Sequence, residues 1–169
     1  MKIGVISDTH LRSDKQSLPS KVFEVFAEVD HIFHLGDMCV SDVILELKAL
    51  APVSAVTGNM DPPDLQRKYD KLMMLEINDQ QIILSHGHYG SGTTIENIKK
   101  KSSKADCIVF GHSHQPYNEV YQDTLLFNPG SPTDYKRSYI KRKDPSVGLL
   151  EVTDEDINGE IIYLNEWKV

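Results

Sequence analysis

Five short apolar runs of this chain end in the same way. Residues 3–6 stop at Ser7 and are followed by Asp8 and His10. The run HIFHL stops at Gly36 and Asp37, and PVSAV leads into Gly58, Asn59 and Asp61. IILS leads into His86, Gly87 and His88, and CIVF into Gly111, His112, Ser113 and His114. Runs that are apolar without alternation read as strands buried on both faces, which requires covering layers on either side of a sheet. In such sheets polar function gathers beyond the carboxyl ends of the strands. Turns favour Asp, Asn and Gly for their own reasons. Five turns that each add Asp, Asn or His, residue types that ligate metals, ask for a chemical explanation as well.

The order of elements supports layered sheets. KIGVIS reads as a strand, and SLPSKVFEVFAEV as a helix with Pro19 in its first turn and Val22, Phe23, Val25, Phe26 and Val29 on its apolar face. HIFHL is a second strand, SDVILELKAL a second helix with Ser41 as N-cap, and PVSAV a third strand. This β-α-β-α-β run predicts parallel strands with right-handed crossovers. Further on, KLMMLEI and QIILSH flank NDQ as a hairpin, and TTIENIKKKSSK reads as an amphipathic helix. YNEVY and TLLFN pair across Gln122 and Asp123; VGLLEVT and EIIYLNEW pair across Asn158 and Gly159. The expectation is an α/β chain with two sheets, a parallel-rich one first and an antiparallel-rich one second, with helices outside. Residues 1–169 are expected to form a single domain, and 132–146 one long loop.

The candidate ligands are Asp8, His10, Asp37, Asn59, His86, His112 and His114. Carboxylate, imidazole and amide together suit Mn²⁺, Fe, Zn²⁺ or Ni²⁺, whereas an all-oxygen set suits Mg²⁺ or Ca²⁺. The set holds no thiolate unless Cys39 joins it. There are too many ligands for one ion, but they suit two ions sharing a carboxylate, an arrangement able to hold a phosphoryl group and activate water. His31 and His34 lie at and within the second strand, not past its end, and are read as structural.

Composition narrows the partners. The net charge of −7 gives no general surface for long nucleic acid, although acidic ligands are locally neutralised by their metals. The two cysteines, Cys39 and Cys107, have no motif spacing and are read as small buried apolar residues in a reducing compartment. No stretch reaches the roughly 18 apolar residues of a membrane span, and no signal-peptide pattern opens the chain. A cytoplasmic protein is expected. A homo-oligomer stays open.

In order, DTH, GD, GNMD, HGH and GHSH resemble the calcineurin-like metallophosphoesterases, and NPGS at 128–131 resembles their small YfcE-type phosphodiesterase branch. The resemblance implies a four-layer αββα sandwich of two mixed sheets flanked by helices, and a metal-dependent phosphoesterase. It implies that Asp8, His10, Asp37 and His114 hold one divalent ion. Asp37, Asn59, His86 and His112 hold the other, with Asp37 shared and Mn²⁺ the leading occupant ahead of Ni²⁺, Zn²⁺ or Fe. It further implies attack by a metal-bridging hydroxide on a small phosphate ester, with Asn59 also facing the phosphate.

One position departs from the pattern. Many relatives carry a histidine, the proposed general acid, where this chain has Met60. His88 is the remaining candidate acid, against a reading as a mere neighbour of the ligands. Asp61 either orients a ligand or completes a turn. Gly130 is expected to allow close backbone approach, with N–H groups turned to phosphate. KRSYIKRK at 136–143 reads either as a solvated loop or as a clamp for a nucleotide-like substrate through Lys136 and Arg137, with Tyr135 or Tyr139 stacking on a base. The chain also resembles a retromer subunit that uses this fold as a protein-binding scaffold, so a catalytically weak scaffold is the alternative. Asp37 and Asn59, both kept here, favour catalysis.

Overall fold

The computed structural model describes residues 1–12, 16–88, 90, 94–100, 105–133 and 144–165. Strands β1 (Lys2–Ile6), β2 (His31–His34) and β3 (Val53–Ala55) alternate with helices α1 (Ser20–Val25) and α2 (Asp42–Lys48). β1–β2 and β2–β3 pair in parallel, as the β-α-β-α-β pattern requires. Then come α3 (Pro63–Lys68), β4 (Leu72–Ile77), β5 (Gln80–Ser85), α4 (Thr94–Lys99) and β6 (Cys107–Phe110). β7 (Tyr117–Tyr121), β8 (Thr124–Asn128), β9 (Ser146–Val152) and β10 (Ile157–Tyr163) complete the order.

Two five-stranded sheets result, β10-β9-β1-β2-β3 and β4-β5-β6-β8-β7. Ile3, Val5, Phe33, Leu35, Leu84, Val109, Phe127 and Leu150 fill the space between them. On the outer face of the first sheet, Val22, Phe26, Val43 and Leu47 pack against Ile6 and Ile32. On the outer face of the second, Ile98 of α4 packs against Ile83, Ile108 and Phe110. This is the expected αββα sandwich.

Several expectations are corrected. Neither sheet is richer in parallel pairs. The first has β1–β2 and β2–β3 parallel with β1–β9 and β9–β10 antiparallel, and the second has β5–β6 and β6–β8 parallel with β4–β5 and β7–β8 antiparallel. The last hairpin therefore returns to the first sheet, where β9 lies beside β1. Its turn is not Asn158–Gly159. Those residues sit inside β10, opposite Glu151 and Leu150. The turn is closed one step earlier, where Thr153 Oγ1 accepts the Asp156 N–H at 3.0 Å and Asp156 Oδ1 accepts the Ile157 N–H at 2.8 Å. Gly159 is small because Phe127 packs on it: a β-carbon there would lie 2.6 Å from the ring.

Pro19 precedes α1 in extended geometry (φ −55°, ψ 136°) and is not in its first turn. Ser41 is already helical and makes no capping hydrogen bond; its hydroxyl donates to Asp42 Oδ1 at 3.3 Å instead. Helix α3 has Leu65 as its one buried residue, too few for a periodic signal. The other two hairpins match their turn chemistry, with both central residues left-handed: Asn78–Asp79 at φ 51° and 60°, and Gln122–Asp123 at φ 48° and 65°.

Candidate metal centre

The carboxyl ends of β1, β2 and β3 meet those of β5 and β6 across the sandwich, and the candidate ligands lie in the loops that follow. Three of these loops share a pattern of positive φ. Asp8 and His10, Asp37 and Cys39, and His112 and His114 are left-handed at alternate positions, with φ between 46° and 68°. Side chains other than glycine rarely adopt this region, and it concentrates at functional sites. The loops are also pinned to one another. Asp8 N–H donates to Gly36 O at 3.0 Å, His10 N–H to Asp37 O at 2.9 Å, and Gly111 N–H to His86 O at 3.1 Å.

The side chains converge. Asp8, His10 and His114 bring one ligand atom each within 4.8 Å of one another, and so do Asp8, Asp37 and His86. Asp8 stands in both groups. Its Oδ2 accepts Ser7 Oγ at 2.6 Å and the His112 N–H at 3.0 Å. Its Oδ1 is buried and accepts no hydrogen bond, yet His114 Nε2 lies 3.3 Å away, and His10 and His86 Nε2 each 3.9 Å. Asp37 Oδ1 accepts the Met60 N–H at 2.7 Å, leaving Oδ2 3.4 Å from His86 Nε2 and 3.7 Å from His10 Nε2. Burial raises the affinity of Asp37 for a proton, but the His86 ring, the Met60 N–H and His10 outweigh it and hold this carboxyl at about 2. For Asp8, burial is likewise overcome, by His114, His86 and Ser7, and its affinity is lowered.

The imidazoles are oriented from behind. His86 Nδ1 donates to Leu35 O at 2.6 Å, which turns Nε2 toward Asp37 and Asn59 Oδ1, the latter at 3.2 Å. Such a ring needs positive charge at Nε2, an extra proton or a cation, to face two oxygen acceptors. His10 Nε2 faces His114 Nε2 at 3.1 Å, and its Nδ1 lies 3.6 Å from Cys39 Sγ. A buried carboxylate oxygen without a hydrogen bond, surrounded by imidazole nitrogens, fits a divalent cation bound by mixed oxygen and nitrogen donors.

His112 stands at the edge of these groups, with its ring 5.2 Å from that of His86. His88 packs 5.3 Å from His86 and 6.0 Å from His112, and burial with those two rings pushes it down to about 4. It is a neutral imidazole at neutral pH. Arg137 and the other residues of the basic stretch 136–143 lie outside the described residues. The Gly130 N–H is taken by Asn128 Oδ1 at 2.9 Å, and its φ of 78° puts a would-be β-carbon against Ser146 Oγ. Its observed contribution is to shape the NPGS turn.

That turn braces the centre. Asn128 Nδ2 donates to Gly111 O at 2.9 Å, Ser131 Oγ to Asp8 O at 2.8 Å and Thr133 Oγ1 to Thr9 O at 2.9 Å. Asp61 does the same for the second loop, accepting N–H groups of Asp37 (3.0 Å), Cys39 (2.8 Å) and Gly58 (2.7 Å). Gly58 has no room for a side chain, since a β-carbon would meet Asp37 Oδ1 and lie 2.5 Å from its backbone nitrogen. His34 is fully buried. Its Nδ1 accepts the Gly36 N–H at 3.2 Å, so Nε2 donates to Thr9 Oγ1 at 3.2 Å. His31 bonds Ser54 Oγ at 2.9 Å. Both are structural, as expected. Cys107 is fully buried, but Cys39 is only half-buried and touches a candidate ligand, unlike the apolar filler expected. The bracing roles of Ser131, Thr133 and Thr9 carry no local sequence signal.

A model of the calcineurin-like phosphoesterase superfamily domain matches residues 1–155. The chain belongs to the calcineurin-like phosphoesterase superfamily. It is 38% identical over 169 residues to a probable metallophosphoesterase of Methanothermobacter thermautotrophicus, covering 96% of this chain and 92% of that one. It is 30% identical over 172 residues to a phosphodiesterase of Methanocaldococcus jannaschii, covering 92% and 96%. The fold also resembles that of Vps29 from Chaetomium thermophilum, with a TM-score of 0.80 at 17% identity over 95% of this chain and 96% of that one. Calcineurin-like phosphoesterases use divalent metals, and this member is a phosphoesterase hydrolase with residue groups that could hold one. No helix of the described residues is long and apolar enough to cross a membrane.

Proposed function

We propose that this calcineurin-like phosphoesterase hydrolyses a small phosphodiester at a centre of two divalent cations, with Mn²⁺ the leading occupant. Asp8, His10, Asp37 and His114 are assigned to one cation, and Asp37, Asn59, His86 and His112 to the other. The observation that carries the reading is Asp8 Oδ1, buried without a hydrogen bond amid three imidazole Nε2 atoms. When bound, the two cations supply an acidified water as nucleophile and positive charge for the phosphoryl oxygens.

The protein residues define the rest. Leu35 O, through His86 Nδ1, and Asp61, through the Asp37 N–H, fix ligand orientation before substrate arrives. Asn59, exposed at the mouth of the centre, offers its amide to the phosphate. Water adds to phosphorus as the ester P–O bond breaks, and the departing oxygen takes its proton from solvent. Met60 has no proton to give, and His88 is a neutral neighbour at working pH. Esters of acidic alcohols are therefore the better substrates.

The test is hydrolysis of bis-nitrophenyl phosphate by the Mn²⁺-loaded protein, alongside metal analysis. Activity on nitrophenyl diesters should far exceed that on dialkyl phosphodiesters; equal rates would contradict the account of Met60. Asp37→Ala should lose more than the roughly 10–100-fold that loss of an outer hydrogen-bond partner costs a metal site. A metal-replete wild type inert toward mono- and diesters would overturn the enzyme reading and favour the scaffold.

A further inference from the structure

A cleft of about 300 Å³ opens between the loop after β2 and the start of α3. Val40, Pro62 and Leu65 give it an apolar floor, and Asp42 and Asp64 line it as well. Cys39 is the wall it shares with the metal centre: the same side chain lines the cleft and places Sγ 3.6 Å from His10 Nδ1. Sγ also lies 3.7 Å from the Met60 carbonyl, and the Met60 side chain, 55% exposed, follows Asn59 on that rim. The cleft is thus one side chain removed from the candidate ligands.

Its chemistry is selective. Asp42 stands in the first turn of α2, where its Oδ1 accepts the Ser41 hydroxyl at 3.3 Å, and Asp64 in the first turn of α3; both line the cleft. Among the described residues neither is engaged in an ion pair. Apolar contact below and two carboxylates beside it suit a small group with a positive charge on a short carbon body, and repel a further phosphate. The cleft's volume lies at the lower end of ligand pockets, about 300–1,000 Å³, and matches a small substituent.

We propose that this cleft receives one alcohol substituent of the phosphodiester and selects a cationic amino-alcohol over a neutral or anionic one. The proposal rests on the phosphodiesterase reading given above. The centre holds the phosphoryl group, and the cleft decides which ester is held there.

The test uses the full chain loaded with Mn²⁺ and three diesters sharing a nitrophenyl leaving group. Their other substituents are choline, methyl, and an alkyl chain ending in a second phosphate. The choline ester should show a kcat/KM about tenfold above the methyl ester, the order expected of two partly screened carboxylates. The doubly phosphorylated ester should fall below both. In Asp42→Asn/Asp64→Asn the ratio of choline to methyl ester should fall toward one, whereas Glu76→Gln, a charge change on β4, should leave the ratio intact. Val40→Trp, which fills the cleft without altering charge, should also abolish the preference. Turnover without a preference, or a preference that survives both cleft variants, would overturn the proposal. Failure to hydrolyse any of the three esters would instead overturn the phosphodiesterase reading on which it stands.

Discussion

Asp61 shows how a single carboxylate sets the geometry of a site it does not enter. It accepts three backbone N–H groups, and one of them belongs to Asp37, whose φ of 56° is left-handed. Asp61→Asn replaces one acceptor oxygen with a donor facing those N–H groups. Unfolding in urea should show a loss of about 2 kcal/mol, typical of unsatisfied buried donors. Titration should show metal affinity weakened by about 10–100-fold, as for other outer partners. A variant with native metal affinity would leave Asp61 as a turn residue only. The candidate ligands were legible in the chain because Asp, Asn and His recur after apolar runs. Their braces were not: Ser131 reaches Asp8 O and Thr133 reaches Thr9 O across more than a hundred residues, and no local pattern encodes such a meeting.

At the level of elements, sequence periodicity located the strands but misjudged where the last hairpin goes. Asn158 and Gly159 carry turn chemistry, yet Thr153 and Asp156 close the turn and Gly159 makes room for Phe127. The choice was made by a ring from the other sheet, which the local sequence does not contain. Gly159→Ala should therefore destabilise by about 1–3 kcal/mol through overpacking, seen as a lower thermal midpoint. An unchanged midpoint would mean that Phe127 yields freely. The family resemblance implied that both sheets are mixed, whereas the strand pattern alone put the parallel pairs in one sheet and the antiparallel pairs in the other. Whether β9 returns to β1 depends on pairing between residues nearly 150 apart, such as Lys2 with Glu151.

For the whole molecule, burial of titratable groups sets how stability follows pH. Burial holds His34 down to about 4 against the attraction of Asp61, Asp8 and Asp37. Below 6.5 the unfolded chain takes up a proton that the native state refuses, so stability falls as pH drops from 6.5 toward 4. The change is at most about 3 kcal/mol. Urea midpoints in the presence of a chelator should trace this slope, and His34→Asn should reduce it, leaving the part that the half-buried His88 contributes. Metal acts in the opposite direction. Each ion held at a hundred times its dissociation constant adds about 2.7 kcal/mol, or roughly 5–10 °C in melting temperature for a chain of this size. Chelation should remove that gain, and a melting point indifferent to Mn²⁺ would count against the centre.

Asp8, His10, Asp37 and Asn59 hang from one sheet, and His86, His112 and His114 from the other. Each candidate ligand group takes donors from both halves. A seated ion is therefore a clasp across the sandwich: to pry the layers apart is to eject it, and a misdocked chain has nowhere to keep one. If the proposed centre is loaded, occupancy would thereby report that the two sheets are correctly docked.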